Sequence, residues 1–148
     1  MNLNELLKVK GEVFIDIIKD GKTVEQRHIP NLIVTVGKNF IASRMTGTAK
    51  SVMSHMAVGS GSTAAVAGDT QLGTELGRVS LGSATASGST ITYTATFPGG
   101  IGTGQVVEAG IFNASGANNG DMLCRTVFPV VNKQVADTIA VTWVVTIS

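Results

Sequence analysis

The chain has 148 residues, 43% of them apolar and 14% charged, with a formal net charge of +1. That length accommodates one domain with a real core, since a chain of this size buries roughly two thirds of its unfolded surface. The near-neutral balance excludes a densely basic nucleic-acid surface, and the single cysteine, Cys124, excludes an internal disulfide.

The charge is unevenly placed. Residues 1–50 hold eight of the 11 Lys and Arg and five of the 10 Asp and Glu. Residues 51–148 carry only Arg78, Arg125, Lys133, Asp69, Glu75, Glu108, Asp121 and Asp137. Soluble domains are about one quarter charged. A surface this poor in charge is safe when other protein covers much of it, so the composition implies a subunit of a larger assembly.

Residues 3–8 (LNELLK) put Leu3, Leu6 and Leu7 on one side of a short helical turn that is marginal in isolation. Residues 1–10 are expected to be an arm, and 11–148 a single domain. Within that domain, 11–29 reads as a hairpin. Val13, Ile15 and Ile17 alternate in the first strand, Asp20-Gly21 is a type I′ turn signal, and Lys22–Ile29 returns as a charged edge strand ended by Pro30. Asn31–Val36 is a short buried strand. A helix is expected at about 37–46, with Val36, Phe40, Ile41 and Met45 on one face, ending near Gly47.

Residues 53–59 alternate as a strand, and the Gly- and Ala-rich stretch after them reads as a loop or a very short helix, not a packed element. Arg78–Ala86 and Ser89–Pro98 read as strands around Ser87-Gly88, the second with Ile91, Tyr93, Ala95 and Phe97 on one face. Gln105–Asn113 is a strand with a bulge expected at Gly110. Residues 114–121 form a turn, Met122–Val131 a strand bent at Pro129, and Thr138–Ile147 a closing strand with Trp143 in the core. About eight strands at this spacing predict an all-β, antiparallel β-sandwich, jelly-roll-like, with one short helix.

Candidate chemistry is thin. His28, His55 and Cys124 form no metal-ligand spacing, so neither a metal nor a cofactor is expected. There is no GxSxG elbow, and Gly59-Ser60-Gly61-Ser62 fits no nucleophile pattern. The glycine runs at 59–62 and 99–104 lack the Lys and following helix of a phosphate loop. Seven aromatic residues are too few for a stacking platform or a carbohydrate cleft. Glu108 lies inside the apolar strand VVEAGIF, and a buried carboxylate there needs Arg78, Arg125 or backbone N–H groups as partners. The N-terminus has no signal-peptide core and no apolar run reaches the roughly 20 residues that cross a bilayer, so synthesis in a host cytoplasm and no membrane partner are expected.

The order of four segments is familiar: NLIVTVGKNFIASRM, SHMAVGSGSTAAVAGDTQLGTEL, ITYTATFPGGIGTGQVVEAGIFNAS and MLCRTVFPVVNKQVADTIAVTWVVTIS. Together they resemble a class of tailed-bacteriophage virion proteins, over about residues 30–148. Similar segments occur in capsid-associated proteins and in tail-fibre or baseplate components. The sequence closes at Ser148 after a core strand, with no repetitive shaft, which favours the capsid. The resemblance therefore implies a non-enzymatic decoration, or cement, protein on the outside of the major capsid lattice, with a tail-fibre or baseplate component as the alternative. It implies the major capsid protein as partner, self-association, with a trimer as the expected oligomer, and no nucleic acid. Partner contacts are expected from the arm (Leu3, Leu6, Leu7), the edge strand (Val24, Gln26, His28) and the loop at 59–68 (Ser60, Ser62, Thr63).

Overall fold

The computed structural model describes residues 7–47 and 50–148. The elements run β1 (Val9–Lys19), β2 (Lys22–Ile33), α1 (Thr35–Met45), β3 (His55–Gly59), β4 (Glu75–Ser80), β5 (Ser83–Ser87), β6 (Thr90–Phe97), β7 (Gly104–Phe112), β8 (Met122–Lys133) and β9 (Thr138–Ile147). All strand pairs are antiparallel, in the order β4-β3-β7-β8-β2-β1-β9-β6-β5. The all-β fold with one short helix is as expected, with nine strands among the described residues against the expected eight or so.

The nine strands form one curled sheet doubled over on itself. The first strand pairs with the last and the second with the next to last, so the chain is rolled up from its two ends. β2 belongs to both leaves. Its residues 22–31 pair with β1, while only Leu32 and Ile33 reach Arg125 and Cys124 of β8. The β1–β2 hairpin turns at Asp20 (φ 51°) and Gly21 (φ 73°), the pair of positive angles that a type I′ turn requires.

Period-two patterning fills the space between the leaves. One leaf contributes Val13, Ile15, Ile17, Phe97, Val141 and Trp143, and the other Met56, Val58, Val106, Ile111, Cys124 and Phe128, all buried in one cluster. Trp143 stands between Val13 of β1 and Tyr93 of β6 and is fully buried. The outer face of the β3-β7-β8 leaf is buried as well. Val34, Ala57, Leu72, Phe112 and Met122 make a second cluster there, which is why β3 and β7 carry apolar residues on both faces.

Several expectations change. The stretch 78–86 is two strands: β4 pairs with β3 in one leaf, β5 with β6 in the other, and the chain crosses at Leu81-Gly82. β5 is exposed along its length, so no buried pattern in 83–87 marks the change of leaf. The helix starts at Thr35; Phe40 is buried, but Met45 is 85% exposed and lies off the packed face. Gly37 belongs to the packed face, because a Cβ there would meet the Leu123 carbonyl oxygen at 2.0 Å. Gly110 is not a bulge. It is in register with Ala57 and Arg125, and the ladder slips on either side of it. The expected arm also shortens: Lys8 exchanges backbone hydrogen bonds with Ser148, and Val9 and Lys10 pair with Ile147 and Thr146.

Two stability predictions follow from this core. Trp143→Ala should cost roughly 3–5 kcal/mol in denaturant unfolding. Trp143→Phe should cost much less, because the indole Nε1 has no protein acceptor to lose. The second concerns pH. Burial pushes the Cys124 thiol well above its ordinary 9.0, against smaller opposing hydrogen bonds from Asn31 and Ile111. Burial, and secondarily Cys124, pushes Tyr93 from 10.0 up to about 12. Both groups keep their protons in the fold where the unfolded chain loses them. Their contribution is therefore whole below the unfolded values and declines as pH rises above them. Lys133 acts in the opposite sense, since burial lowers its pKa from 10.5, with Asp137 opposing. Melting temperature measured from about pH 8 to about pH 11 should fall more steeply for the native chain than for Cys124→Ala.

Candidate functional site

The segment 60–74 contains no helix or strand, yet it is packed rather than loose. It lies over the outer face of the β3-β7-β8 leaf and buries Leu72 in the second cluster. Glu108, on β7 and fully buried, holds it there. Its Oε1 accepts hydrogen bonds from the backbone N–H groups of Gly61 (2.9 Å) and Thr74 (2.8 Å). Its Oε2 accepts from the N–H of Gly73 (2.9 Å) and from Nε and Nη2 of Arg125 (3.0 and 2.8 Å). The two ends of the loop thus close on one carboxylate.

Arg125 extends the clamp. Its Nη1 donates to Asp69 (2.9 Å) and its Nη2 to the Thr63 carbonyl (2.9 Å). Asp69 in turn accepts from the Val66 N–H (2.9 Å). The Ala67 carbonyl then receives the Thr35 N–H at the start of α1 (2.8 Å). A buried carboxylate is costly unless every acceptor position is used, and here backbone donors, a guanidinium and loop glycines meet that demand together. The glycines are required by space. A Cβ on Gly59 would lie 2.3 Å from the Thr74 carbonyl oxygen and 2.5 Å from Glu108 Oε1; one on Gly61 would lie 2.7 Å from the same carboxylate oxygen.

A second anchor fixes the neighbouring turn. Arg78 pairs with Glu75 through Nε (3.1 Å) and Nη2 (2.7 Å), and both side chains are 3% exposed. Its Nη1 donates to the carbonyls of Ala114 and Asn119 (2.8 and 2.9 Å), and its guanidinium lies 3.9 Å from the Phe112 ring centroid. Of the partners expected for Glu108, Arg125 and backbone N–H groups are the ones used, and Arg78 is committed to Glu75.

The expected contact residues fall into separate places. Leu3 and Leu6 lie outside the described residues. Leu7 is 78% exposed at the lip of an apolar groove formed with Val9, Ile41, Ala42 and Met45. Val24, Gln26 and His28 are exposed on the outer face of β2, where the His28 ring stacks on Phe14 (centroids 4.4 Å apart) and lies 3.7 Å from Glu12. Ser60 is half-buried and bonded to Thr74 through its N–H. Thr63 is exposed, with its carbonyl held by Arg125. Ser62 is exposed beside Pro30, Leu32 and Ala64 in a shallow groove. Sequence reasoning missed Asp69, Gly61 and Gly73, whose roles appear only once the loop is folded over Glu108.

The chemistry of the site is that of a clamp. The His55 ring nitrogens face two serine hydroxyls, Ser54 Oγ at 2.8 Å and Ser80 Oγ at 3.4 Å. Nucleophilic catalysis needs a third group that orients the base, and among the described residues the contacts of the His55 ring are these two hydroxyls. Among the described residues no cluster of His, Cys, Asp and Glu has the makings of a metal site, and no helix is long and apolar enough to cross a membrane. Comparison with family models, curated proteins and solved structures returned no match for this chain.

Glu108→Gln should be among the most damaging single changes outside the core, at roughly 3–5 kcal/mol, because it leaves Arg125 buried without its carboxylate. Loss of the clamp should also open 60–74 to limited proteolysis under conditions where the strands still give a native circular-dichroism spectrum.

Proposed function

We propose that the chain is a non-enzymatic structural protein of a tailed-phage virion, a decoration or cement subunit on the outside of the major capsid lattice. One observation carries the reading. Every charged side chain of residues 51–148 is engaged inside the subunit. Arg78 holds Glu75, Arg125 holds Glu108 and Asp69, Lys133 donates to the Pro98 carbonyl, Asp121 takes Lys50 and Asp137 takes Lys19. What those 98 residues offer outward is mostly Ser, Thr, Gly, Ala, Asn and Gln, together with exposed Val52, Val66, Ile101, Val130 and Val135. An uncharged outer surface of this extent is at home against other protein.

The motif order described above supplies the virion context. A subunit that binds only the assembled lattice stabilises that lattice by mass action. One that bridges neighbouring capsid proteins gains from the high local concentration of its second contact. Leu7 and its groove, the 22–29 strand and the 62–68 loop surface are the contacts offered for such bridging. The clamp under the loop keeps that surface in one conformation, so little ordering entropy is lost on binding.

Quantitative mass spectrometry of purified particles tests the reading. The expected copy number is comparable to the number of shell subunits; a tail-scale copy number would assign the chain to a fibre or baseplate instead. Within the capsid reading, deletion of residues 1–7 should leave the melting temperature nearly unchanged, because strand pairing begins at Val9, and should weaken binding to stripped particles. Unchanged particle affinity would take the N-terminal segment out of the interface.

A further inference from the structure

The open edges of the sheet are treated very differently. The 22–29 edge of β2 carries Lys22, Glu25, Arg27 and His28 and ends at Pro30, and Arg27 reaches across to the carbonyls of Pro129 and Val130 on β8. β4 is guarded by charge: it carries Glu75 and Arg78, Glu75 is tied to the 114–119 turn, and Gly77 packs against Gly102, where a Cβ would come within 2.6 Å of the Gly102 nitrogen. Charge, proline and cover are the usual protections of an edge. β5 has none of them. It is the last strand in the sheet order, it reads Ser-Ala-Thr-Ala-Ser, and all five residues are exposed.

We propose that β5 pairs antiparallel with β5 of a second copy of this chain, about a twofold axis at Thr85. The occupant follows from backbone chemistry and charge. A bare edge presents unpaired N–H and C=O groups, and the group that satisfies a row of them is another strand. Residues 82–88 read Gly-Ser-Ala-Thr-Ala-Ser-Gly, the same in both directions. Antiparallel self-pairing therefore sets Ser83 against Ser87, Ala84 against Ala86 and Thr85 against itself, with no like charges opposed and no bulky side chain on either face. A two-residue hairpin at Gly88-Ser89 makes Ser87–Thr90 and Thr85–Thr92 hydrogen-bonded pairs, which turns the polar groups of Ala84 and Ala86 outward. The axis then falls at a non-hydrogen-bonded Thr85 pair, the position where cross-strand side chains come closest.

A twofold contact at β5 makes a dimer, and the expected trimer would need a different surface. Five residues a side make a small interface, below the area of a tight complex, so the contact is weak in dilute solution and strengthened when both copies sit on one lattice. The inference deepens the assembly reading, but its test needs only the purified chain. Failure to bind particles would leave the pairing standing, and absence of pairing would leave particle binding standing.

Sedimentation equilibrium of the full chain should give a concentration-dependent monomer–dimer equilibrium. Thr85→Lys opposes two ammonium groups across the axis and should lower the association constant about fivefold or more with the fold intact by circular dichroism. Thr85→Cys should form an intermolecular disulfide much faster than Ser115→Cys, an exposed control on the 114–121 turn. A strictly monomeric chain up to its solubility limit would overturn the proposal. So would an association constant unmoved by Thr85→Lys, or cross-linking at position 85 no faster than at 115.

Discussion

A carboxylate buried inside an apolar strand sets the path of the 60–74 segment. Glu108 must be fully solvated by protein, and its five hydrogen bonds come from both ends of the 60–74 segment and from Arg125. That requirement draws the loop down onto the sheet, places glycines where any side chain would strike the carboxylate or a carbonyl, and brings Asp69 to the remaining face of Arg125. Leu72 is then carried into the second apolar cluster, and the Ala67 carbonyl is carried to the start of α1. Buried ion pairs often add little net stability over a well-packed apolar substitute. The gain here is specificity of path, because a loop without helix or strand is given one conformation by a single acceptor site.

The same economy governs the other charges. Arg78 fastens one turn, Lys133 caps the Pro98 carbonyl, and the Lys19–Asp137 pair (2.6 Å) ties the β1 end to the turn before β9. Lys19 is also the principal reason the Asp137 carboxyl is held below its ordinary value, with the Gln134 N–H second. Residues 51–148 direct their few charges at one another and at loop backbone, which fixes the loops and leaves that part of the surface nearly uncharged. Internal order and a bland exterior are thus one design choice. It suits a subunit that presents preformed loops to neighbours better than one that must recognise a charged ligand from solution.

Much of this was legible in the residues. The period of two from Ile139 to Ile147 located β9 and its buried Trp143, Asp20-Gly21 located the first hairpin, and Glu108 was recognisable as a carboxylate in need of Arg125 or backbone donors. What stayed hidden has a common cause. Glycine in a sequence reads as a turn, whereas Gly37, Gly59, Gly61 and Gly110 serve close approach, and the atom approached is distant in the chain: the Leu123 carbonyl for Gly37, Glu108 for Gly61. Likewise the passage from β4 to β5 leaves no mark, because the Ser/Ala/Thr run of β5 is exposed along its whole length and carries no apolar pattern to assign it to either leaf. The 60–74 stretch looked loose because its packing depends on a partner more than thirty residues away.

The edges carry this logic to the outside of the molecule. Sheet topology leaves lengths of β2, β4 and β5, among others, without a neighbour. Two of them are closed with the means that soluble proteins use against unwanted pairing, and each closure uses a charged residue: Arg27 across the β2–β8 gap, Glu75 at the 114–119 turn. The hairpin β5–β6 is built from Ser, Thr and Ala beyond its core positions, so there is no charge at hand to guard its outer strand. In a freely diffusing monomer that arrangement is a liability for edge-to-edge association. Residues 51–148 turn their few charges to one another, and the unguarded strand fits that surface; under the proposed pairing its free N–H and C=O groups select another strand as neighbour.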